Sequence, residues 1–311
     1  MIVALAGGVG GARLAVGLAA VLGPSELSIV VNTGDDFEHH GLTVSPDLDT
    51  VMYTLGGVAN PVLGWGRSDE TWNFMSALEA LGGETWFRLG DRDLAVHVLR
   101  TELLRKGVPL SEITRGLMSR FGVGHAVIPM SDSPVRTRVR TASTTELPFQ
   151  DYFVRLKCKP CVTGFRFSGS RTAQIPPALR KLMQERIEAV VICPSNPYVS
   201  IAPILSVREI REWLRKRDFP VVAVSPIVGG AALKGPAAKM MRELGAEASA
   251  LGVARHYGDQ VDGWVIDRED EKHKAAVERQ GARVIVTDTI MKSRAKSVAL
   301  AKRVVAFTRL R

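Results

Sequence analysis

"MIVALA" (residues 1–6) runs directly into "GGVGGARLAVGL" (residues 7–18). Six apolar residues, four glycines within five positions and a return of apolar residues at helical spacing read as a buried strand, a tight turn and a helix. Backbone without Cβ atoms approaches a phosphate closely, and the N-terminus of the following helix offers unpaired N–H groups to an anion. The dinucleotide pattern G-x-G-x-x-G fails here. With Gly8 and Gly10 aligned to its first two glycines, Arg13 takes the place of the third, crowding the helix–strand contact and adding a cation. A phosphate-rich ligand with Arg13 as counter-charge therefore fits better than NAD, and a tight turn with no ligand is the plain alternative.

Further short β-branched runs at residues 28–31, 189–192, 221–224, 263–266 and 284–286 read as buried strands, most of them followed by helical patterns. That alternation is the signature of a parallel sheet with helices on its faces. A long interruption separates the second run from the third. It reads as helices at residues 48–55, 70–81, 93–104 and 111–121, then antiparallel strands at 136–141, 151–156 and 162–167. The expected architecture is an α/β fold: a Rossmann-like parallel sheet core from residues 1–58 and 176–311, with an inserted helical and antiparallel β subdomain at 59–175. Ligands of such sheets bind outside the carboxyl ends of the strands, so the loops there carry the chemistry.

The 311 residues are 46% hydrophobic and 23% charged, with a mean hydropathy of +0.07, the composition of a soluble globular protein. No apolar run is long enough for a membrane span, and residues 1–6 lack a basic leader, so a cytoplasmic location is expected. The net charge of +9 suits polyanionic small molecules, nucleic acid or acidic membrane surfaces. "MKSRAKSVALAKRVVAFTRLR" (residues 291–311) holds seven of the cations, but Val298, Ala301 and Val305 mark an apolar helix face. The charges read as its solvated outer face, and no recognition motif accompanies them, so neither nucleic acid nor membrane is expected as a partner. Cys158 and Cys161 form a C-x-x-C spacing without a second ligand pair for zinc, and read as two unpaired thiols in a hairpin.

In the loop "NTGDDFEHHG" (32–41), Asp35 and Asp36 stand where an acid often meets a ribose hydroxyl, while the adjacent His39 and His40 lack metal-ligand spacing. "SPDLDT" (45–50) starts a helix, with Ser45 as cap, Pro46 at its first position and Asp47 favouring its dipole. Asp49 is not explained by capping. Two residues apart on a helix, Asp47 and Asp49 point about 200° apart, yet Mg²⁺ needs only one or two carboxylates alongside phosphate oxygens and water. "LGDRD" (89–93) supplies Asp91 as a cap and Asp93 as a first-turn acid, with Arg88 and Arg92 flanking. "PSNPYVSIAPIL" (194–205) fixes Ser195 and Asn196 between prolines just after a strand. In "VSPIVGGAALKGPAAKMM" (224–241), Gly229, Gly230 and Gly235 permit close backbone approach, and Lys234 or Lys239 is suited to a phosphate.

Taken together, "GGVGGARL", "VVNTGDD", "SPDLDT", "LGDRD", "PMSDSPV", "FQDYFV", "PSNPYVSIAPIL", "VSPIVGGAALKGPAAKMM" and "TDTIM", spread over residues 7–291, resemble the 2-phospho-L-lactate transferase family of coenzyme F-420 biosynthesis. The resemblance implies transfer of a phospholactyl or phosphoenolpyruvyl group, or a glyceryl counterpart, from a guanylyl diphospho donor to the deazaflavin Fo. It further implies that GMP is released and that Mg²⁺ is required. The implied donor set is Gly7, Gly8, Gly10, Asn32, Asp36, Ser195, Asn196 and Lys239, on the core. Asp49, Arg88, Asp91 and Arg92 form the implied deazaflavin set, to which the insertion contributes. Asp47 and Asp49 are the implied metal ligands, and Asp49 is the expected group to orient or deprotonate the attacking hydroxyl. A homodimer is the expected assembly. The competing readings are a non-catalytic nucleotide or nucleotide-sugar binding regulator on the same core, and an NAD-dependent oxidoreductase that Arg13 disfavours.

Overall fold

Seven parallel strands build the main sheet of the computed structural model, which describes residues 1–143 and 146–310. From one edge to the other they are Arg283–Thr287, Gly263–Asp267, Val221–Val224, Ala189–Ile192, Ile2–Ala6, Leu27–Val31 and Ala126–Pro129. Every neighbouring pair is parallel. The six short apolar runs of the sequence all become strands of this sheet, because runs buried on both faces tolerate β-branched residues at every position. Alternate side chains divide the core between the two faces: Val3, Leu5, Val190 and Ile192 on one, Ile2, Ala4, Ala6 and Val191 on the other. The fold is thus the expected α/β one, with its helices covering the sheet.

Chain order along the sheet reverses between Ile2–Ala6 and Ala189–Ile192, which pair side by side despite their distance in sequence. A doubly wound sheet opens a crevice at this switch point, above the carboxyl ends of its strands. The glycine loop leaves one of these two strands, and the "CPSNP" loop leaves the other.

Segment 59–175 is not wholly outside the sheet, since Ala126–Pro129 adds to Leu27–Val31 as an edge strand. Around it lie the helices Asn73–Ala80, Asp91–Arg105 and Leu110–Arg120, and a three-stranded antiparallel sheet of Glu146–Pro148, Arg136–Thr141 and Val162–Ser168. Residues 151–156, expected as a strand, instead form a wide helical turn at Asp151–Arg155, closed by the Leu156 N–H donating to the Asp151 carbonyl at 2.8 Å. Its apolar residues serve a helical spacing: Phe149 and Phe153, four apart, stack with centroids 5.3 Å from each other. The C-x-x-C cysteines follow in the next turn and are free, Cys158 half-buried and Cys161 exposed.

The C-terminal helix Arg294–Thr308 buries Leu300, Ala301, Val304 and Val305, while Lys296, Lys302 and Arg303 face solvent. It packs on the helix Gly8–Ala19 so closely that a Cβ at Gly17 would lie 2.2 Å from the Ser297 carbonyl oxygen. Among the described residues no helix is long and apolar enough to cross a membrane. Gly17→Ala should force these two helices apart and lower stability by about 2 kcal/mol, read by urea denaturation, with no change in any loop of the crevice.

Candidate active site

The glycine loop is locked into the crevice by contacts that exclude side chains. A Cβ at Gly10 would lie 2.3 Å from the Pro194 carbonyl oxygen, and one at Gly11 2.5 Å from Ser195 Oγ. Ser195 Oγ accepts from the Gly7 N–H at 3.2 Å and donates to the Gly7 carbonyl at 2.8 Å. Gly8 adopts φ +62° and its N–H donates to Asp47 Oδ1 at 2.8 Å. Asp47 Oδ2 accepts from Asn32 Nδ2 at 2.9 Å, and the same amide donates to the Val199 carbonyl at 3.2 Å. A helix leaves its first four N–H groups without intrahelical partners. With Gly7 and Gly8 committed to Ser195 and Asp47, the N–H groups of Val9 and Gly10 remain for an anion.

Above this loop lies a cavity of about 620 Å³, well within the size range of small-molecule sites. Its walls are of two kinds. Gly7, Gly8, Gly10, Ser195, Asn196 and Ser200 line one part with backbone and small polar groups. Trp65, Trp86, Phe87, Phe149 and Phe153 line another, which suits a flat conjugated ring. Phe37, His39, Trp86 and Phe87 form one aromatic cluster behind this wall, with the Phe37 and Phe87 rings edge-to-face at 4.8 Å. Burial holds the His39 imidazole down at about 4, so it packs there as a neutral ring.

Arg13, Arg88 and Lys234 line the same cavity. Arg13 Nη1 donates to the Met291 carbonyl at 2.9 Å, the Arg88 guanidinium lies 4.2 Å from the centre of the Trp72 ring, and Lys234 Nζ donates to the Leu63 carbonyl at 3.0 Å. None of the three has an acidic partner among the described residues. The cavity therefore presents three uncompensated cations.

Four carboxylates, Asp35, Asp47, Asp49 and Asp93, also line it. Asp49 is 4% exposed and both its oxygens are held by Arg100, itself 2% exposed, in a fork-to-fork pair. His97 Nδ1 lies 3.2 Å from Arg100 Nη1 and, since the guanidinium only donates, accepts from it, while Nε2 lies 3.4 Å from Asp93 Oδ1. Tyr53 donates to the same Asp93 oxygen. Burial works to raise the Asp93 pKa, but His97, Tyr53 and Arg100 outweigh it and hold this carboxyl below its usual range. Asp49, Asp93 and His97 place ligand atoms within 4.8 Å of one another, the spacing of a metal cluster, but Arg100 and Tyr53 already occupy the acids.

Asp35 and Asp47 are in a different state. Asp35 Oδ1 is buried without a hydrogen-bond partner, and burial, with the charge of Asp47, pushes its pKa well above the usual range. Burial raises Asp47 to about 6. Asp36 lies behind them, accepts from Ser45 Oγ at 2.8 Å, and is raised to about 7 by burial that outweighs the charge of Arg136.

The structure thus brings Gly7, Gly8, Gly10, Asp47, Asp49, Arg88, Ser195 and Asn196 to the cavity wall. Asn32 and Asp36 stand one layer behind. Asp91 does not line the cavity: it caps the helix Asn73–Ala80, accepting from the N–H groups of Asn73 and Phe74, while Glu70 caps Asp91–Arg105 in exchange. Arg92 is exposed beside it. Lys239 is paired with Glu243 and donates to the Pro160 carbonyl, so Lys234 is the lysine at the cavity. Asp93, His97 and Arg100 were not legible as site residues, because their sequence looks like an ordinary helix with a capped start. Only the i, i+4 spacing of Asp93 and His97 hinted at a shared face.

The family model described as 2-phospho-L-lactate transferase CofD matches residues 2–305. The chain belongs to that family. It is 46% identical over 286 residues to the phosphoenolpyruvate transferase of Kitasatospora aureofaciens, covering 90% of this chain and 89% of the relative. It is 40% identical over 299 residues to the 2-phospho-L-lactate transferase of Methanosarcina mazei, covering 96% and 97%. A crystal structure of a UPF0052 family member from Bacillus halodurans superposes with a TM-score of 0.64 at 12% identity, covering 98% of both chains, a likeness of fold. As a member of the CofD family the chain is a transferase, and the competing oxidoreductase and regulator readings lose their ground.

Protonation of the buried acids gives the CofD family member a pH signature. A carboxyl whose native pKa is raised binds its proton more tightly folded than unfolded, so its contribution is fully present below about pH 4 and lost as pH rises through its native value. Asp36, raised to about 7, should make the metal-free protein melt lower at about pH 8 than at about pH 5. Asp36→Asn keeps an acceptor for Ser45 and should shrink that fall, by raising the midpoint at the higher pH alone. Equal falls in variant and wild type, measured by thermal denaturation, would show that Asp36 titrates normally.

Proposed function

We propose that this transferase moves a phosphate-linked acyl group, lactyl or enolpyruvyl, from a guanylyl diphospho donor to the terminal ribityl hydroxyl of the deazaflavin Fo in coenzyme F-420 biosynthesis, with release of GMP. One observation carries the reading: a single cavity joins an anion-ready glycine loop to an aromatic wall, with buried carboxylates between. Relatives named for both acyl groups support the reaction class and leave the choice of acyl group to the pocket.

The reaction needs an oxygen–phosphorus bond formed to the acyl-bearing phosphorus and the bond to GMP broken, with the hydroxyl proton lost. Positioning and charge neutralisation supply most of such a barrier reduction. The Val9 and Gly10 amides and Arg13 suit the diphosphate, while Arg88 and the aromatic wall suit Fo. Arg100 fixes Asp49 in the cavity, where its carboxylate orients the hydroxyl and accepts its hydrogen bond. No nucleophilic side chain is required.

The residues present fit a Mg²⁺ ion. An orphaned buried Asp35 oxygen and its repulsion from Asp47 are what a hard cation relieves, and such an ion takes one or two carboxylates with phosphate oxygens and water. Asp47 and Asp35 would hold it, whereas Asp49 is already balanced by Arg100. When bound, it would neutralise charge on the diphosphate.

Incubation with Fo, Mg²⁺ and each of the lactyl, enolpyruvyl and glyceryl donors should give an Fo adduct and equimolar GMP with at least one of them, read by mass spectrometry. Absence of an adduct with all three overturns the proposal, as does nucleotide binding without Fo-dependent GMP release. Asp49→Asn should lower kcat by roughly 10²-fold or more, with little change in donor KM. Full turnover in that variant removes Asp49 from the chemistry.

A further inference from the structure

Two exposed loops face each other across the cavity mouth. Residues 60–66 form a closed loop anchored at its base by Asn60: its side-chain oxygen accepts from the Val62 and Leu63 N–H groups, its carbonyl from Gly64, and its N–H donates to the Gly66 carbonyl. This loop carries Val62 at 82%, Leu63 at 42% and Trp65 at 45% exposure. Opposite it, the hairpin of Ile227–Val228 and Ala231–Ala232 turns through Gly229 and Gly230, both at positive φ, and continues to Leu233 and Lys234. Lys234 Nζ bridges the gap by donating to the Leu63 carbonyl at 3.0 Å.

The seat of that ammonium is specific. Gly64, at φ +78°, would place a Cβ 2.8 Å from Lys234 Nζ and 3.1 Å from Val9 Cγ1. The loop therefore rests on the Val9 side chain, in the first turn of the glycine-loop helix. An ammonium has three donors, and the Leu63 carbonyl takes one. Unlike Lys239, which is neutralised by Glu243, Lys234 faces no carboxylate among the described residues. Its two remaining donors and its whole charge are free for an anion in the cavity.

We propose that Lys234 is a donor-binding strap: it grips the diphosphate of the nucleotide while still holding the Leu63 carbonyl, and so ties both loops down over the bound donor. The proposal rests on the nucleotide-donor reading above. The strap gives the enzyme a way to exclude water from a phosphorus centre that would otherwise hydrolyse.

GDP with Mg²⁺, added to the full chain, is the probe. Calorimetry gives its affinity, and hydrogen exchange follows residues 60–66 and 229–235 with and without it. Wild type should bind GDP and slow exchange in both loops. Lys234→Ala should bind at least about tenfold more weakly, and at saturating GDP should fail to slow residues 60–66. Lys234→Arg should recover most of the affinity, and Gly64→Ala, which keeps the charge but fills the seat, should lose the protection of residues 60–66. Unchanged affinity in Lys234→Ala, or undiminished protection of residues 60–66 in that variant, overturns the strap. No GDP binding by wild type overturns instead the donor reading on which it rests.

Discussion

Everything at the crevice depends on a glycine backbone pressed against its neighbours where no Cβ fits. Gly7, Gly10 and Gly11 lie against Asp47, the Pro194 carbonyl, Ser195 and Ser200 at distances that a methyl group could not occupy. Three segments more than a hundred residues apart in part are thereby held in one plane of contact, with Ser195 bonded to both polar atoms of the Gly7 peptide. The consequence is functional as much as structural. By consuming the first two N–H groups of the helix internally, the interlock fixes which two are offered to a ligand and in which direction.

The same economy governs the charged groups. Burying an ion pair stabilises little in itself, because desolvation offsets much of the attraction. The Asp49–Arg100 pair is better understood as a device for holding one carboxylate at a set place in the cavity wall. His97 and Tyr53 extend that device, His97 accepting from Arg100 and Tyr53 donating to Asp93, which His97 approaches from the other side. Burial raises the pKa values of Asp35 and Asp47, the former also through the charge of Asp47, and among the described residues no arginine or lysine pairs with either. Asp49 is thus paired with an arginine, whereas Asp35 and Asp47 are left wanting positive charge.

Much of the fold was legible because its strands are buried on both faces and so read as unbroken apolar runs. Ala126–Pro129 escaped notice since four residues at a sheet edge, one of them a proline, carry almost no periodic signal. The glycine loop and Ser195 announced themselves through residue types that few other environments require. Asp91 misled because a capping acid looks the same in sequence whether it caps its own helix or, as here, the neighbouring one. Lys234 and Lys239 are five residues apart in one motif. What separates them is Glu243, one helical turn past Lys239, whose pairing removes that lysine from the ligand's reach.

The walls of the cavity differ in how firmly they are held, and that difference follows the chemistry required of each. At the floor, glycines are packed to the limit and the polar groups that position them are buried. At the rim, Gly66 and Gly235 adopt positive φ with nothing within 4 Å of where a Cβ would stand. Those rim glycines serve turns and not packing. A rigid floor sets the geometry of phosphorus and hydroxyl, where errors of an ångström are expensive in rate. The rim, made of turns bridged by the Lys234–Leu63 hydrogen bond, is where the two substrates of the proposed reaction would enter the crevice.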